Sequence, residues 1–280
     1  MLPYHYQIVL KLYKIIYIIF LFYFYKYKKN GKQQNHLIND STNNNITNYV
    51  KSLKKVVYTV LIGNYDVIHS IIKENGYDYY MFTDQKIKNN TLNWTILNVE
   101  QEINSLNRIN RIKCQRFYKT HPHLFFKDYD LSIYFDANYE SNGNLDEFLI
   151  RILSPKLSIY ILEHPFLDSI NNEFEAVVNL KKESKKNIIP IKERYNKERF
   201  QDNYGHAETC LIVRKHNKLN CIDFMEGWFY EIKYNSHRDQ LSFNYILWKT
   251  GFKIVKYIPK YFTELYFKQN SFHLMIEEFQ

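Results

Sequence analysis

Residues 131–138 read LSIYFDAN, and this short stretch indicates how the rest of the chain is folded. Leu131 to Phe135 is an apolar run of the kind found in strands that are buried on both faces. It ends directly in Asp136, and Asn138 follows two residues later. A carboxylate and an amide at one strand end can point the same way, and such oxygen ligands suit Mg²⁺ or Mn²⁺. The alternative is an ordinary turn, in which Asp and Asn are common.

Apolar runs of the same kind recur along the chain and alternate with segments of helical periodicity. Continuous apolar strands separated by helices are typical of a mostly parallel sheet with both faces covered. The sequence therefore predicts an α/β domain that binds its ligands beyond the carboxyl ends of the strands. The predicted elements are strands at 56–62, 77–82, 94–99, 131–135, 157–162 and 207–213, and helices at 107–119, 145–153, 173–186, 224–234 and 237–249.

Three of the predicted strands are followed closely by an aspartate, at Asp66, Asp84 and Asp136. A single such acid indicates little, because Asp is common in the turns that follow strands. Three on neighbouring strands would converge on one cleft at the carboxyl edge of the sheet. The chain has no Gly-x-Gly-x-x-Gly motif and no Walker lysine, so the usual dinucleotide and P-loop sites lack sequence support.

The helix predicted at 107–119 is basic, and it precedes the strand that ends in Asp136. Arg116 and Lys119 are three residues apart, which places them on neighbouring helical faces. Such a face can bind phosphate, since Arg offers bidentate contacts. The alternative is a solvated helix face.

A second cluster lies at the start of the helix predicted at 237–249. Ser236 and Asp239 have the S-x-x-D spacing of a capping box, so the pair could simply start that helix. A helix N-terminus also favours the ionised form of Asp239. An ionised carboxylate facing the end of the sheet could act as a base on an acceptor hydroxyl. Both interpretations stay open at this point.

The first 52 residues differ in character from the rest. Residues 8–25 are apolar apart from two lysines, and they predict an uncleaved single-pass membrane anchor within residues 1–29. The lysines that follow favour a cytoplasmic position for the downstream part, whereas a Golgi-like or ER-like enzyme has that part in the lumen. An amphipathic or buried helix is the alternative. Residues 30–52 are polar and Asn-rich, which predicts a flexible stalk, with the folded domain at 53–280.

The distribution of charge argues against nucleic acid as a partner. The whole chain carries a formal net charge of +9. Residues 1–55 hold nine lysines and one acid, which leaves a net charge of only +1 on residues 56–280. Because nucleic-acid binding needs a basic face on the folded part, we expect no such partner.

Several short motifs stand in a fixed order along residues 56–255. They are Tyr58-Thr59-x-x-x-Gly63-Asn64-Tyr65-Asp66, Phe82-Thr83-Asp84, Arg116-x-x-Lys119-x-x-x-His123, Ser132-Ile133-Tyr134-Phe135-Asp136-Ala137-Asn138, His164-Pro165, Glu208, Arg214, His216 and Ser236-x-Arg238-Asp239-Gln240. In this order the motifs resemble the DUF616 family, the group of TOD1/MUCI70-like glycosyltransferases.

The resemblance implies a GT-A-like, Rossmann-type domain that moves a sugar from a nucleotide-diphospho-sugar to a hydroxyl of a glycan or glycoprotein. It implies Mn²⁺ or Mg²⁺ at Asp136 and Asn138, although Asn138 is a neutral residue where the family's D-x-D pattern has a second acid. The predicted catalytic residues are Asp136 and Asp239, with Asp239 as the base if the enzyme inverts and as a residue that positions the acceptor if it retains. The implied binding residues are Gly63, Asn64, Tyr65, Asp66, Asp84, Arg116 and Lys119 for the donor, and His164, Glu208, Arg238 and Gln240 on the acceptor side.

Two other functions remain compatible with the same residues. One is a glycan-binding or lipid-binding membrane protein that keeps the fold without catalysis. The other is a metal-dependent hydrolase that acts at the membrane, although the sequence offers no His-rich ligand set for it.

Overall fold

The computed structural model of the chain describes residues 40–63, 66, 68–87, 92–103, 105–203, 205–251 and 255–270. The predicted anchor at 1–29 lies outside the described residues, as do Asn64 and Tyr65. The chain divides into two compact units, Met1–Asn45 and Ile46–Gln280, and the sheet and the candidate site belong to the second. No helix among the described residues combines the length and the apolar character needed to cross a bilayer.

The described residues contain nine strands and ten helices. The strands are β1 (Lys55–Leu61), β2 (Tyr77–Thr83), β3 (Thr95–Asn98), β4 (Leu131–Phe135), β5 (Tyr139–Ser141), β6 (Ile159–Glu163), β7 (Ala207–Arg214), β8 (Val255–Ile258) and β9 (Phe267–Gln269). The helices are α1 (Asp40–Ser52), α2 (Glu100–Ile103), α3 (Arg108–Thr120), α4 (Pro122–Phe125), α5 (Leu145–Ile152), α6 (Ile170–Asn179), α7 (Lys185–Lys197), α8 (Leu219–Tyr234), α9 (Gln240–Lys249) and α10 (Lys260–Thr263).

Seven of these strands form one mixed sheet in the order β3-β2-β1-β4-β7-β6-β8. The pairs β1–β2, β2–β3, β1–β4 and β6–β8 are parallel, whereas β7 runs antiparallel to both of its neighbours. The remaining two strands, β5 and β9, pair with each other. The predicted α/β domain with a mostly parallel sheet is therefore confirmed.

Both faces of the sheet are covered, which explains the unbroken apolar runs of the central strands. All seven residues of β1 and all five of β4 are buried. Side chains alternate between the two faces: Tyr58 packs in one apolar cluster with Trp228 of α8, and Val57 packs in the other with Phe148 of α5. Each fully buried large apolar side chain contributes about 1.5–3 kcal/mol relative to an exposed one.

The antiparallel strand β7 carries a large irregularity beside β6. Ile161 pairs with Ile212, but the next residue of β6, Leu162, pairs with Glu208. Residues 209–211 of β7 therefore have no partner on β6. Bulges of this kind bend a strand, increase its twist and re-aim its side chains.

Two predicted segments differ from the observed structure. Residues 40–52 of the predicted stalk form α1, because Ile46, Tyr49 and Val50 recur at helical spacing and pack against the apolar cluster of α5. The helix predicted at 173–186 is two helices, α6 and α7. The chain turns between them with Lys181 at φ +55°, and the side chain of Ser184 accepts a hydrogen bond from the backbone of Asn187 to start α7.

Candidate functional site

Asp136 stands where β4 ends, and its backbone is fixed on both sides. Its N–H donates to the carbonyl of Cys210 on β7 at 2.8 Å, and its carbonyl accepts from the N–H of Tyr139 at 2.9 Å. The Tyr134 hydroxyl donates to Asp136 Oδ1 at 2.5 Å. The side chain of Asp136 is 26% exposed, so the carboxylate is anchored but open to a ligand.

Lys119 joins Asp136 to a second carboxylate. Its Nζ lies 2.7 Å from Asp239 Oδ2 and 3.6 Å from Asp136 Oδ1. The Thr209 hydroxyl also donates to Asp239 Oδ2, at 2.9 Å, and Arg116 Nε lies 3.3 Å from the same oxygen. The two aspartates therefore share one cation, although they are more than 100 residues apart in sequence.

Asp239 is an ionised carboxylate held by several positive charges. Burial, the largest single influence, would raise its pKa. The charges of Arg116, Lys119 and Arg238, together with the hydrogen bond from Lys119, outweigh burial and hold the pKa of Asp239 well below its usual range. At neutral pH this group is a fixed negative charge.

The capping-box alternative for Ser236 and Asp239 is wrong. Asp239 does occupy the position before α9, but its side chain makes no capping hydrogen bond. Its carboxylate turns to the basic side chains, and its carbonyl accepts a hydrogen bond from Trp228 Nε1 at 3.0 Å. The Ser236 hydroxyl accepts from the N–H of Arg238 instead.

Two side chains from the sequence motifs hold the end of α3 in place. Their spacing in the sequence does not reveal this role. The Tyr58 hydroxyl donates to the carbonyl of Lys119 at 2.7 Å, and Arg214 Nη1 donates to the same carbonyl at 2.9 Å. Arg214 Nη2 also donates to the Tyr58 hydroxyl. Burial raises the pKa of Tyr58 to about 12, so it stays a neutral donor. Strands β1 and β7 thus fix the backbone from which Lys119 projects.

On the other side of β4, Gly63 from the predicted donor-binding residues is hydrogen-bonded to the aspartate that follows β2. Asp84 Oδ1 accepts a hydrogen bond from the N–H of Gly63 at 2.8 Å, and Gln85 Nε2 donates to the Gly63 carbonyl at 2.9 Å. Gly63 has φ +93°, a conformation that favours glycine. The structure therefore brings Gly63 and Asp84 together, and Asp66 lies half-buried three residues further along the loop.

Glu208 of β7 lies close enough to Asp136 for the two charges to influence each other. Lys260 Nζ lies 3.3 Å from each of its carboxylate oxygens. Burial raises the pKa of Glu208, the charge of Lys260 lowers it, and the nearby Asp136 raises it again. The net result is a pKa above the usual range, in contrast to Asp239.

The other predicted acceptor-side residues flank this edge of the sheet. The N–H of His164 donates to the carbonyl of His206 at 2.8 Å, and His164 Nδ1 accepts from the backbone of Leu167 at 2.9 Å. Burial lowers the pKa of His164 to about 4, so the ring is neutral at pH 7. Arg238 lies in the half-buried turn before α9, and Gln240 is the first residue of that helix.

Asn138 provides a test of whether a metal ion fits. Its side chain is buried, and its Oδ1 accepts no hydrogen bond from the described residues. A buried oxygen without a donor is rare in proteins and can be a ligand atom. Among the described residues, no group of three or more His, Cys, Asp or Glu side chains could hold a metal ion. Asp136 and Asn138 thus fit two positions of an oxygen-ligated ion, which would need further ligands from outside the described residues.

Comparison with known proteins gives one match that covers most of the chain. A family model described as the TOD1/MUCI70 glycosyltransferase-like domain matches residues 23–276. Curated protein sequences give no significant match.

Solved structures similar to the chain include two glycosyltransferases. The apo structure of the bifunctional glycosyltransferase WbbM matches with a TM-score of 0.44 and 11% identity, over 74% of this chain and 39% of that one. Mouse xyloside xylosyltransferase 1, also in apo form, matches with a TM-score of 0.40 and 9% identity, over 73% of this chain and 85% of that one. The chain therefore spans well under half the length of WbbM.

Proposed function

The chain belongs to the TOD1/MUCI70 glycosyltransferase-like family, and from that premise we propose that it moves a sugar from a nucleotide-diphospho-sugar to a hydroxyl of a glycan or glycoprotein. The observation that carries the proposal is the position of Lys119, which contacts both Asp136 and Asp239. This places two carboxylates and their basic partners beyond the end of β4. Ligands of open α/β sheets bind beyond the carboxyl ends of the strands.

The donor side of the proposed site is the loop that follows β1. The bond from Gly63 to Asp84 supports a fixed position of the Gly63 backbone. Asn64, Tyr65 and Asp66 follow Gly63 in the sequence, and their contact with the donor stays a prediction. A GT-A-like arrangement of donor and acceptor is part of the same proposal.

The basic side chains would act on the leaving diphosphate. Arg116, Lys119 and Arg238 all influence Asp239, and Lys119 also lies next to Asp136. Transfer of the sugar leaves negative charge on the diphosphate, and fixed positive charges at that point lower the barrier. The cluster of basic side chains around Asp239 supports donor binding by Arg116 and Lys119.

Mn²⁺ or Mg²⁺ is a further part of the proposal. Asp136 and Asn138 would hold the ion, and when bound it would neutralise part of the diphosphate charge. Lys119 beside Asp136 reduces the negative charge that attracts a cation. We therefore propose a weak site that is completed by the donor.

Asp239 fits a positioning role on the observed contacts. Its carboxylate keeps Lys119 and Arg116 in place, and its low pKa makes it a poor proton acceptor. The assignments of Arg238, Gln240 and His164 to the acceptor side stay predictions. The membrane anchor at residues 8–25 and the side of the membrane also stay predictions.

The proposal is tested by incubating the full chain with UDP-glucose, UDP-galactose, UDP-xylose and GDP-mannose, each with and without Mn²⁺. Binding is read as a shift of the melting temperature, and transfer or hydrolysis as released nucleoside diphosphate. We expect one donor to stabilise the fold and to be turned over, and Asp136→Ala to abolish turnover while the fold persists. Binding without turnover would favour a non-catalytic sugar-binding protein, and the absence of both would contradict the proposal.

A further inference from the structure

We propose that Glu208 accepts the proton of the attacking hydroxyl during glycosyl transfer, and that Asp239 does not. This assignment rests on the proposed function and names the residue that would carry its proton transfer. It differs from the sequence-based prediction, which placed the base at Asp239 and Glu208 only on the acceptor side.

The surroundings of Asp239 stabilise its charged form and disfavour the uptake of a proton. Its side chain is only 4% exposed. Lys119, Arg116 and the Thr209 hydroxyl all contact the same oxygen, Oδ2. To accept a proton, Asp239 would have to give up charge interactions with cations that are themselves largely buried, which is strongly unfavourable.

Glu208 has the opposite surroundings. Its side chain is 16% exposed, and Lys260 is the one charged partner within ion-pair distance among the described residues. Its Oε2 is buried and accepts no hydrogen bond. Lys260 Nζ lies 3.3 Å from this oxygen as an ion pair without hydrogen-bond geometry, and a substrate hydroxyl is a donor that can supply the missing hydrogen bond.

The groups that face Glu208 make it able to exchange a proton. Burial favours the neutral form of Glu208 and raises its pKa most, Lys260 of α10 favours the charged form, and Asp136 at the end of β4 favours the neutral form. Cys210 beside it on β7 and Tyr139 of β5 both have pKa values raised by burial, so both are neutral. A raised pKa makes a carboxylate a better proton acceptor than an ordinary glutamate, in contrast to Asp239.

The backbone supports the same assignment. Glu208 and Thr209 are consecutive on β7, and neighbouring side chains of a strand point to opposite faces. Thr209 contacts Asp239, whereas Glu208 contacts Lys260. The irregularity of β7 lies at these residues, beside Asp136, whose N–H bonds to Cys210.

The proton transfer balances within one step. The acceptor O–H bond breaks, and its proton goes to the Glu208 carboxylate. The oxygen forms the new bond to the anomeric carbon while the bond from that carbon to the diphosphate breaks. The bonding pair leaves with the diphosphate, so no oxidant or further reactant is needed. A base acting on an external hydroxyl in this way gives inversion at the anomeric carbon.

The test uses the full chain with the donor that is turned over in the screen above. Glu208→Gln keeps the size of the side chain but cannot accept a proton, so we expect kcat to fall at least about 100-fold. The KM for the donor should change less than about threefold. Glu163→Gln is the matched control, because Glu163 is an exposed glutamate on the paired strand β6, and its kcat should stay within twofold.

Lys260→Met provides a readout that a structural role would not change. Removing the ammonium group next to Glu208 makes its charged form less favourable, so its pKa rises. The acidic limb of the pH dependence of kcat should therefore move to higher pH by about 1 unit or more. The melting temperature of each variant is measured to exclude loss of the fold.

The outcomes separate the two proposals. If the wild-type chain turns over no donor, the proposed function fails and the role of Glu208 fails with it. If the wild type is active, the role of Glu208 alone is overturned by any of three results: Glu208→Gln keeps more than a third of kcat, the acidic limb of Lys260→Met stays in place, or the product retains the anomeric configuration of the donor.

Discussion

Lys119 Nζ lies 2.7 Å from Asp239 Oδ2, and the two side chains expose only 1% and 4% of their surface. The pair joins the end of α3 to the start of α9 and lies next to Asp136. A buried ion pair is weak evidence for stability by itself, but removing one partner leaves an uncompensated buried charge. The pair therefore ties the charge of the site to the integrity of the fold.

Replacing Asp239 should destabilise the protein. Asp239→Asn leaves the buried ammonium of Lys119 with only Asp136, 3.6 Å away, as a counter-charge, so we expect the free energy of unfolding at pH 7 to fall by about 3 kcal/mol. Urea denaturation measures this change. Asp128→Asn, at an exposed aspartate, is the control and should change the free energy by less than about 0.5 kcal/mol. An equal, small effect of both substitutions would show that the pair contributes little.

The same pair predicts how stability depends on pH. The pKa of Asp239 is lowered in the folded state, so its contribution is fully present above the unfolded value of about 3.9. The contribution is lost as the pH falls from there towards the lower folded pKa. Unfolding curves between pH 2 and pH 7 should show the wild type losing its advantage over Asp239→Asn below about pH 4. A constant difference across that range would contradict the assigned pKa direction.

Asp136 should matter for turnover more than for folding. Its side chain is 26% exposed, and an amide in its place can still accept the hydrogen bond of Tyr134. We expect Asp136→Asn to lower kcat at least about 100-fold, since it removes a charge placed to act on the donor complex. The melting temperature should change by only a few degrees. Loss of the fold would instead assign Asp136 a structural role.

The metal requirement can be tested at Asn138. Asn138→Asp restores a second carboxylate next to Asp136, and we expect the apparent Kd for Mn²⁺ to fall about tenfold. Asn138→Ala should weaken Mn²⁺ binding, read as the Mn²⁺ concentration that gives half-maximal turnover. If turnover persists in excess EDTA and neither variant responds to Mn²⁺, the charge of the diphosphate is met by the basic side chains alone.

The hydroxyl of Tyr58 should stabilise the fold next to the site. Tyr58→Phe removes the hydroxyl that donates to the Lys119 carbonyl and accepts from Arg214. Because a buried guanidinium then lacks one acceptor, we expect a loss of about 1–3 kcal/mol in the free energy of unfolding. Tyr80→Phe on the neighbouring strand β2 removes only a half-buried hydroxyl contact with Tyr129 and should lose less than 1 kcal/mol. Similar losses in both variants would contradict a special role for Tyr58.

Local sequence patterns predicted the parts of the site that depend on one element. The apolar run before Asp136 indicated its strand, and the spacing of Arg116 and Lys119 indicated a basic helix. They could not predict that Lys119 would reach Asp239, because that contact joins helices 120 residues apart. The sequence left two roles open for Asp239, a helix cap and a charged residue of the site. The observed tertiary contacts exclude the capping box.

The segments whose structure differs from the sequence-based prediction also depend on tertiary contacts or on unusual backbone angles. The helix α1 is polar in composition, and only Ile46, Tyr49 and Val50 mark the face that packs against the domain. The turn between α6 and α7 depends on Lys181 adopting a positive φ, which no local rule for lysine predicts. The irregular pairing of β7 with β6 has no local sequence pattern. The sequence therefore does not predict the contact of Thr209 with Asp239.

The number of residues in this irregular part of β7 therefore determines which way the Glu208 side chain faces. Deleting one residue among 209–211 would rotate the preceding strand end by one position and turn each of its side chains to the opposite face. Glu208 would then turn towards the cations of Asp239 and away from Lys260. A single deletion should therefore abolish turnover while the circular dichroism of the fold persists, and retained turnover would show that the strand can absorb the change. An insertion or deletion here would thus move the proposed base away from its place in the site, which a substitution of a single side chain would not do.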